Sequence, residues 1–486
     1  MRRVVLTHCA SKAKLEPMKR ILSHKINITL LLIGLGFLVL LFSGNYLKLV
    51  SGCVHATDFS IYQQAIYDIN FFNNLNPYIT IRNLKIFNDH FDPILLLASP
   101  FAWLFSYESW ALLLFEFLWF LSVIVVALTN LKDYSIRDRL LAVLCIILSK
   151  GLLSGLVFPI HPSTWAMLPF FLISMFLCQK NKTGVLVSGM ALCLFKESFP
   201  FAVIALGIFL LTWDGWKRQS VILIIVGIIF QIFNFHFRSI WLGGVESYGS
   251  TILNSQLFTK IINNDYVPLL KIIYPFAPFF YLLFFKERII KQYRDPFFAV
   301  LFLIAPLLAI HLISGNFHLQ YGPQFIAPLL AVLFFHPKVN FSKLSSKLKI
   351  VTVLLFLGSS ISIYTKEFNL VVRRKSPRCS TTSEHRENLR NLKQFFIALD
   401  KPVVLATGGL VPSIMIPEAK IYQAGLYSKK ISFYDYAFIA TPKTSNSYPF
   451  DYDLREMFTC EKVKETTSYT IFKNVDLNCM PAVLRP

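Results

Sequence analysis

The sequence predicts a polytopic α-helical membrane protein with a small C-terminal α/β domain, and three observations carry that reading. Mean hydropathy is +0.55. With 47 Phe and only 15% charged side chains in 486 residues, the chain is too apolar for a soluble or disordered class. Apolar runs long enough to span ~30 Å of hydrocarbon recur from residue 28 to about residue 365, and beyond it they shorten to KPVVLAT, IYQAG and YAFIATP between turn residues.

The opening, residues 1–25, carries Arg2, Arg3, Lys12, Lys14, Lys19, Arg20 and Lys25. No small-residue cleavage pattern follows the apolar run Ile28 to Phe42, so this reads as a cytoplasmic N-terminus before an uncleaved anchor, with Met18 as an alternative start. A membrane domain over 26–365 is expected, with segments at 28–47, 109–130, 140–157, 164–179, 219–235, 266–285, 296–314, 322–336 and 350–365. The apolar stretch between 183 and 213 is broken by Lys196, Glu197 and Pro200, which makes it either a helical hairpin of two short arms or one interrupted helix. With the hairpin the total is about 11 segments.

On that count one side of the membrane gathers Lys132, Arg137, Arg139, Lys180, Lys182, Lys217 and Arg218, then Lys286, Arg288, Lys291, Arg294, Lys338, Lys343, Lys347 and Lys349. The positive-inside rule places that side in the cytoplasm. The loops 48–108 and 236–265 and the tail 366–486 then face outward from a multi-pass cytoplasmic (inner) membrane protein. The net charge of +21 is thereby explained by topology signals and lipid contacts, and no nucleic-acid partner is expected.

In the tail, SEHRENLRNLKQFFIALD puts Leu389, Leu392, Phe396 and Leu399 on one helical face, and CEKVKETTSYTIFKN reads as two short strands. Cys145, Cys178 and Cys193 fall in apolar segments. Cys53, Cys379, Cys460 and Cys479 fall on the oxidising side, where a bridge between two of the last three is expected and the pairing is open.

The outer side also holds polar residues in unusual company. TDFSIYQQ, Thr57 to Gln64, opens an amphipathic stretch with Tyr62, Ala65, Ile66, Ile69 and Phe72 at helical spacing, expected to lie along the membrane surface with Thr57 or Asp58 as its cap. In NDHFDP, Asp92 before Pro93 has the chemistry of a helix cap, whereas His90 has no such role; FPIHPST repeats the pattern with His161. His55, His90, His161, His236 and His318 all map to outer segment ends, where they either line one cavity or sit among lipid headgroups. Lys196 and Glu197 are charges at membrane depth, costly unless they face water or a ligand.

The order of these parts resembles the GT-C glycosyltransferases. More closely, TDFSIYQQ, HFDP (His90 to Pro93), His161 with Pro162, FKES (Phe195 to Ser198) and QYGP (Gln320 to Pro323) look like the landmarks of a bacterial and archaeal family of membrane proteins of unknown function, over about residues 26 to 475. The sequence departs from that pattern at Ser198 and Gln64, where acids are expected.

The GT-C resemblance implies transfer of a sugar from a polyprenyl-phosphate donor to a glycan, lipid or protein acceptor on the outer face. It makes Asp58 the catalytic carboxylate, taking the acceptor proton or holding a divalent metal, with His90 a second candidate metal ligand. Lys196 and Arg238 become phosphate partners, and Gln63, His90, Asp92, His161, Glu197, His318, Gln320 and Tyr321 candidate substrate contacts. Two readings compete: a transporter or lipid flippase, suggested by the broken hairpin and the intramembrane Lys150, and a non-enzymatic envelope protein whose tail binds a partner. Uptake without covalent change marks the first, and a phenotype confined to deletion of 366–486 marks the second.

Overall fold

The structure, a computed structural model, describes residues 34–54, 56–157, 160–237, 295–314, 321–337, 341–373, 381–400, 402–407, 410–424, 433–440 and 454–484, together with Thr29, Leu32, Phe276 and Phe279. The expected segment 266–285 therefore lies almost wholly outside the described residues.

The chain opens with α1 (Gly34–Val50) and α2 (Ala56–Asp68). A two-stranded antiparallel ribbon, β1 (Tyr78–Ile79) and β2 (Leu84–Lys85), leads into the short α3 (Ile86–Asp89) and α4 (Leu95–Leu104). Then come α5 (Ser109–Asn130), α6 (Ile136–Ile147), α7 (Lys150–Val157), α8 (Pro162–Trp165) and α9 (Met167–Cys178). They are followed by α10 (Lys182–Leu192), α11 (Phe199–Leu210), α12 (Lys217–Ile232), α13 (Pro296–Ser314), α14 (Gly322–Phe335) and α15 (Ser346–Arg373).

Local chemistry sets several of these ends. Ser135 caps α6 by accepting from Asp138 N at 3.1 Å, and Asn181 caps α10 by accepting from Gly184 N at 2.9 Å. Between α10 and α11 the chain breaks at Lys196 and Glu197, with Pro200 in the first turn of α11, so two short helices flank the charge pair. Among the described residues α5, α12 and α15 are each long and apolar enough to cross a bilayer, and the pair α6 and α7, bent by 46°, adds a fourth candidate; the other apolar helices have 10–17 residues. α15 runs on to Arg373, past the expected boundary at 366, and within that extension Glu367 is buried in an ion pair with Lys48 at 2.5 Å.

Lipid contact is legible in what stays exposed. Ile225, Ile228, Ile229 and Ile232 on α12, and Val351, Leu354, Leu355 and Ile361 on α15, form apolar stripes that water would not tolerate. A shallow hollow of about 220 Å³, lined by Ile204, Ile228, Gln231, Ile232 and Phe235, belongs to this lipid-facing surface. Inside, α7 and α14 meet backbone to backbone: a Cβ on Gly322 would lie 2.4 Å from the Gly151 carbonyl oxygen.

The C-terminal region contains α16 (Ser383–Ile397), β3 (Val403–Ala406), α17 (Val411–Ile414), β4 (Lys420–Gln423), β5 (Phe433–Ala440), β6 (Glu461–Glu465) and β7 (Tyr469–Asp476). The sheet order is β4-β3-β5-β7-β6, with β3 parallel to both β4 and β5 and the remaining pairs antiparallel. α16 buries Leu389, Leu392 and Phe396 as its periodicity requires, and Thr382 caps it. Cys460 and Cys479 form one disulfide, and Cys53 is also disulfide-bonded.

α2 departs from expectation in two ways. It is not a surface helix: Phe59, Tyr62, Gln63, Gln64, Ala65, Ile66 and Tyr67 are all buried, because α2 is enclosed by α4 on one side and α17 on another. Its polar face serves the C-terminal domain. Gln64 Nε2 donates to the Ala419 carbonyl at 3.1 Å and Oε1 accepts from Thr80 N at 3.1 Å, while Thr80 Oγ1 donates to the Ile421 carbonyl at 2.6 Å. Second, α2 begins at Ala56, so Thr57 and Asp58 are its second and third residues and neither is the cap. Asp58 stands instead in the first turn, where free N–H groups favour an anion.

Candidate functional site

Four stretches that are distant in sequence converge on Tyr62, one turn along α2 from Asp58 and on the same helix face. The ring of Tyr62 lies 5.2 Å from that of His161 and 6.4 Å from that of His90, centroid to centroid. Its hydroxyl donates to Asp92 Oδ2 in a long bond of 3.4 Å. Burial, with Asp92 next, holds the Tyr62 hydroxyl well above its usual range, so it remains a donor.

His90 and Asp92 come from the turn between α3 and α4. That turn is fastened to the break between α10 and α11 by a hydrogen bond from Ile94 N to the Leu194 carbonyl, 3.0 Å. Across the same join His90 Nδ1 meets Glu197 Oε1 at 3.4 Å. Burial opposes charge on both partners, but each outweighs it for the other: His90 is held above its usual range and Glu197 is brought down to about 2. Asp92 is the opposite case, since burial first and Glu197 second push its carboxyl up to about 7.

Lys196 is buried next to these acids. Its Nζ donates to the Tyr321 hydroxyl at 3.3 Å and lies 4.7 Å from that ring's centroid. Aromatic packing sets its position, for Phe195 lies against Trp119 and Phe199 against Phe170. Tyr321, at the N-terminus of α14, also faces His161 at 6.0 Å and His311 at 4.4 Å.

His161 owes its placement to local strain. Ile160, β-branched, has φ +62°, a conformation such residues rarely adopt. Its N–H donates to Glu116 Oε2 at 3.2 Å, and Glu116 is a wholly buried acid in the apolar α5. His161 then accepts from Ser163 N at 3.4 Å on Nδ1, which leaves the ring proton on Nε2.

Of the sequence-predicted residues, the structure thus gathers Asp58, His90, Asp92, His161, Lys196, Glu197 and Tyr321 around Tyr62. Gln63 points elsewhere, donating to Ser109 Oγ at 2.7 Å and to the Pro412 carbonyl at 3.4 Å. Arg238, His318 and Gln320 lie outside the described residues, as do His55 and the side chain of His236. The expected capping role of Asp92 is corrected: α4 begins at Leu95 behind Ile94, and Asp92 offers that helix its backbone carbonyl, not its side chain. The hollow on the lipid-facing surface shares no lining residue with this cluster.

Sequence alone does not single out Tyr62, His311 or Glu116 as site residues. Tyr62 looks like one more apolar position of an amphipathic helix and His311 like a residue inside a span. Glu116 did carry a signal, as a lone acid in an apolar run. The donor set does not fit a metal centre: His90 is engaged by Glu197, and among the described residues no three His, Cys, Asp or Glu side chains converge as ligands.

A family model described as predicted membrane protein (DUF2079) matches residues 53–457. No curated protein sequence matches the chain. Among solved structures, the crystal structure of ArnT from Cupriavidus metallidurans bound to undecaprenyl phosphate is similar, with a TM-score of 0.52, 12% identity, and coverage of 94% of this chain and 99% of that one. At that identity the likeness is one of fold, and the fold is the helical GT-C type with a small C-terminal sheet region.

Proposed function

The chain belongs to that family of predicted membrane proteins, and from this premise we propose that it is a membrane glycosyltransferase that moves a sugar from a polyprenyl-phosphate donor to an acceptor on the outer face of the cytoplasmic membrane. The observation that carries the reading is the convergence of a buried cation, Lys196, with Asp92, His90 and Glu197, beside the helix that bears Asp58. The GT-C fold supports it, since ArnT was crystallised with undecaprenyl phosphate.

In this reading the acceptor hydroxyl attacks the anomeric carbon, its proton passes to Asp58, and the bond from that carbon to the phosphate oxygen breaks. The polyprenyl phosphate leaves with the electron pair, and its developing charge is held by Lys196, which gains strength from its low-dielectric setting. Asp58 suits the proton step because among the described residues it has no hydrogen-bond or ion-pair partner competing for its carboxylate. A lipid-linked donor also explains the membrane setting, and the charge asymmetry of the loops supports an outward placement of the C-terminal domain.

The test is transfer of label from a sugar-labelled polyprenyl phosphate to lipid, glycan and protein fractions by membranes holding the wild type or Asp58→Asn. Asp58→Asn is expected to accumulate normally in the membrane and to lose transfer by about 10²-fold or more. Full transfer by the variant removes Asp58 as the base.

A further inference from the structure

Asp92 is a member of the cluster whose burial its own contacts do not explain. Its side chain is wholly enclosed, Oδ1 has no hydrogen-bond partner, and Oδ2 receives only the long bond from Tyr62. It does not cap α4 with its side chain. A buried carboxylate oxygen without a donor bears its full desolvation cost, and such an oxygen calls for a donor that arrives with a ligand.

Glu197 repeats the pattern from the facing segment. Its Oε1 is taken by His90, while Oε2 is buried with no partner. Asp92 and Glu197 lie within electrostatic reach of one another. The nearby cations do not supply that donor: Lys196 Nζ is turned to the Tyr321 hydroxyl and His90 meets only Oε1 of Glu197. The two orphaned oxygens therefore call for hydroxyl donors, and two acidic side chains side by side oppose the arrival of a third.

We propose that Asp92 Oδ1 and Glu197 Oε2 form a subsite for the hydroxyl groups of an uncharged sugar ring, so that the group carried on the lipid phosphate is a neutral sugar and not a uronate. This rests on the polyprenyl-phosphate-sugar reading above and names its substrate class. Asp92 is here a binding residue, separate from the proton transfer assigned to Asp58.

The test uses the full chain in lipid nanodiscs and saturation-transfer NMR with three probes: methyl glucopyranoside, its uronide and its 2-amino counterpart. Signal is expected for the neutral glycoside alone. Asp92→Leu is expected to weaken it by about tenfold or more, as loss of a buried hydrogen bond does, and Asp92→Asn by less. Both variants are expected to keep or raise the melting temperature, because Leu removes the orphaned acceptor and Asn removes its charge, whereas a structural role for the carboxylate would make both destabilising. Neutral-sugar binding unchanged in both variants, preferential binding of the uronide or amino sugar, or loss of stability in step with binding overturns the proposal. Undecaprenyl phosphate, titrated into the same samples, separates the two claims. Capture of the lipid phosphate with no neutral-sugar signal defeats the subsite alone, whereas a sugar signal with no capture of lipid phosphate defeats the transferase reading.

Discussion

Asp92 also makes the protein's stability depend on pH in a definite direction. Its folded carboxyl stands at about 7, above the unfolded value of about 3.9, so the folded state binds the proton more tightly. A raised carboxyl favours folding while it stays protonated, and that contribution is lost as pH climbs from about 4 through 7. Asp68, raised to about 6 by burial, and His90, whose raised value lets it keep its proton at higher pH, act in the same direction. Glu197, depressed to about 2, is ionised throughout and does not tilt the slope above pH 5. Melting in nanodiscs is thus expected to be higher at pH 5.5 than at pH 8, and Asp92→Asn should flatten the difference without abolishing it.

The same residues show what sequence discloses at this scale. His90, Asp92, Lys196 and Glu197 were legible because charge beside apolar runs demands a reason. Their partners were not. Tyr62 is chemically an ordinary member of an amphipathic face, and only the fold brings it against His161, a hundred residues on. Gln63 and Gln64 announced a polar task correctly, but the task is domain docking, which periodicity cannot distinguish from ligand binding.

At the scale of elements, long apolar runs were the most legible feature. α5 coincides with the expected 109–130 and α13 with 296–314, since in hydrocarbon a helix must satisfy its own backbone over the whole run. α2 was misplaced for a related reason: a short amphipathic helix carries the same signal whether its apolar face meets lipid or protein. The contact of α7 with α14 was invisible, because a glycine in a span announces no partner. It is nevertheless exacting. Gly322→Ala sets a methyl 2.4 Å from the Gly151 carbonyl oxygen and is expected to cost about 1–3 kcal/mol. Because Gly322 follows Tyr321, the substitution should also disturb the ring beneath Lys196; melting and the intrinsic lipid-phosphate affinity, measured together, check it.

For the whole molecule, α2 is the joint between the membrane helices and the C-terminal domain, carrying candidate chemistry on one face and the docking bonds on another. His385 reinforces the joint, with Nε2 donating to the Ser51 carbonyl at 3.1 Å and Nδ1 accepting from Ser468 at 2.8 Å. Gln64→Leu leaves the Ala419 carbonyl and Thr80 without their donor and acceptor and is expected to cost about 1–3 kcal/mol. Limited proteolysis should then release the tail after residue 373 faster than in the wild type, while the membrane helices stay intact.

The central claim is that a buried lysine in a GT-C fold grips a lipid phosphate. Native mass spectrometry of the protein in nanodiscs, titrated with undecaprenyl phosphate and with undecaprenol, tests it most directly. The phosphate lipid is expected to bind and the alcohol not, and Lys196→Ala to lose about tenfold or more of that preference. Equal binding of the two lipids, or a preference that survives the loss of Lys196, would contradict it.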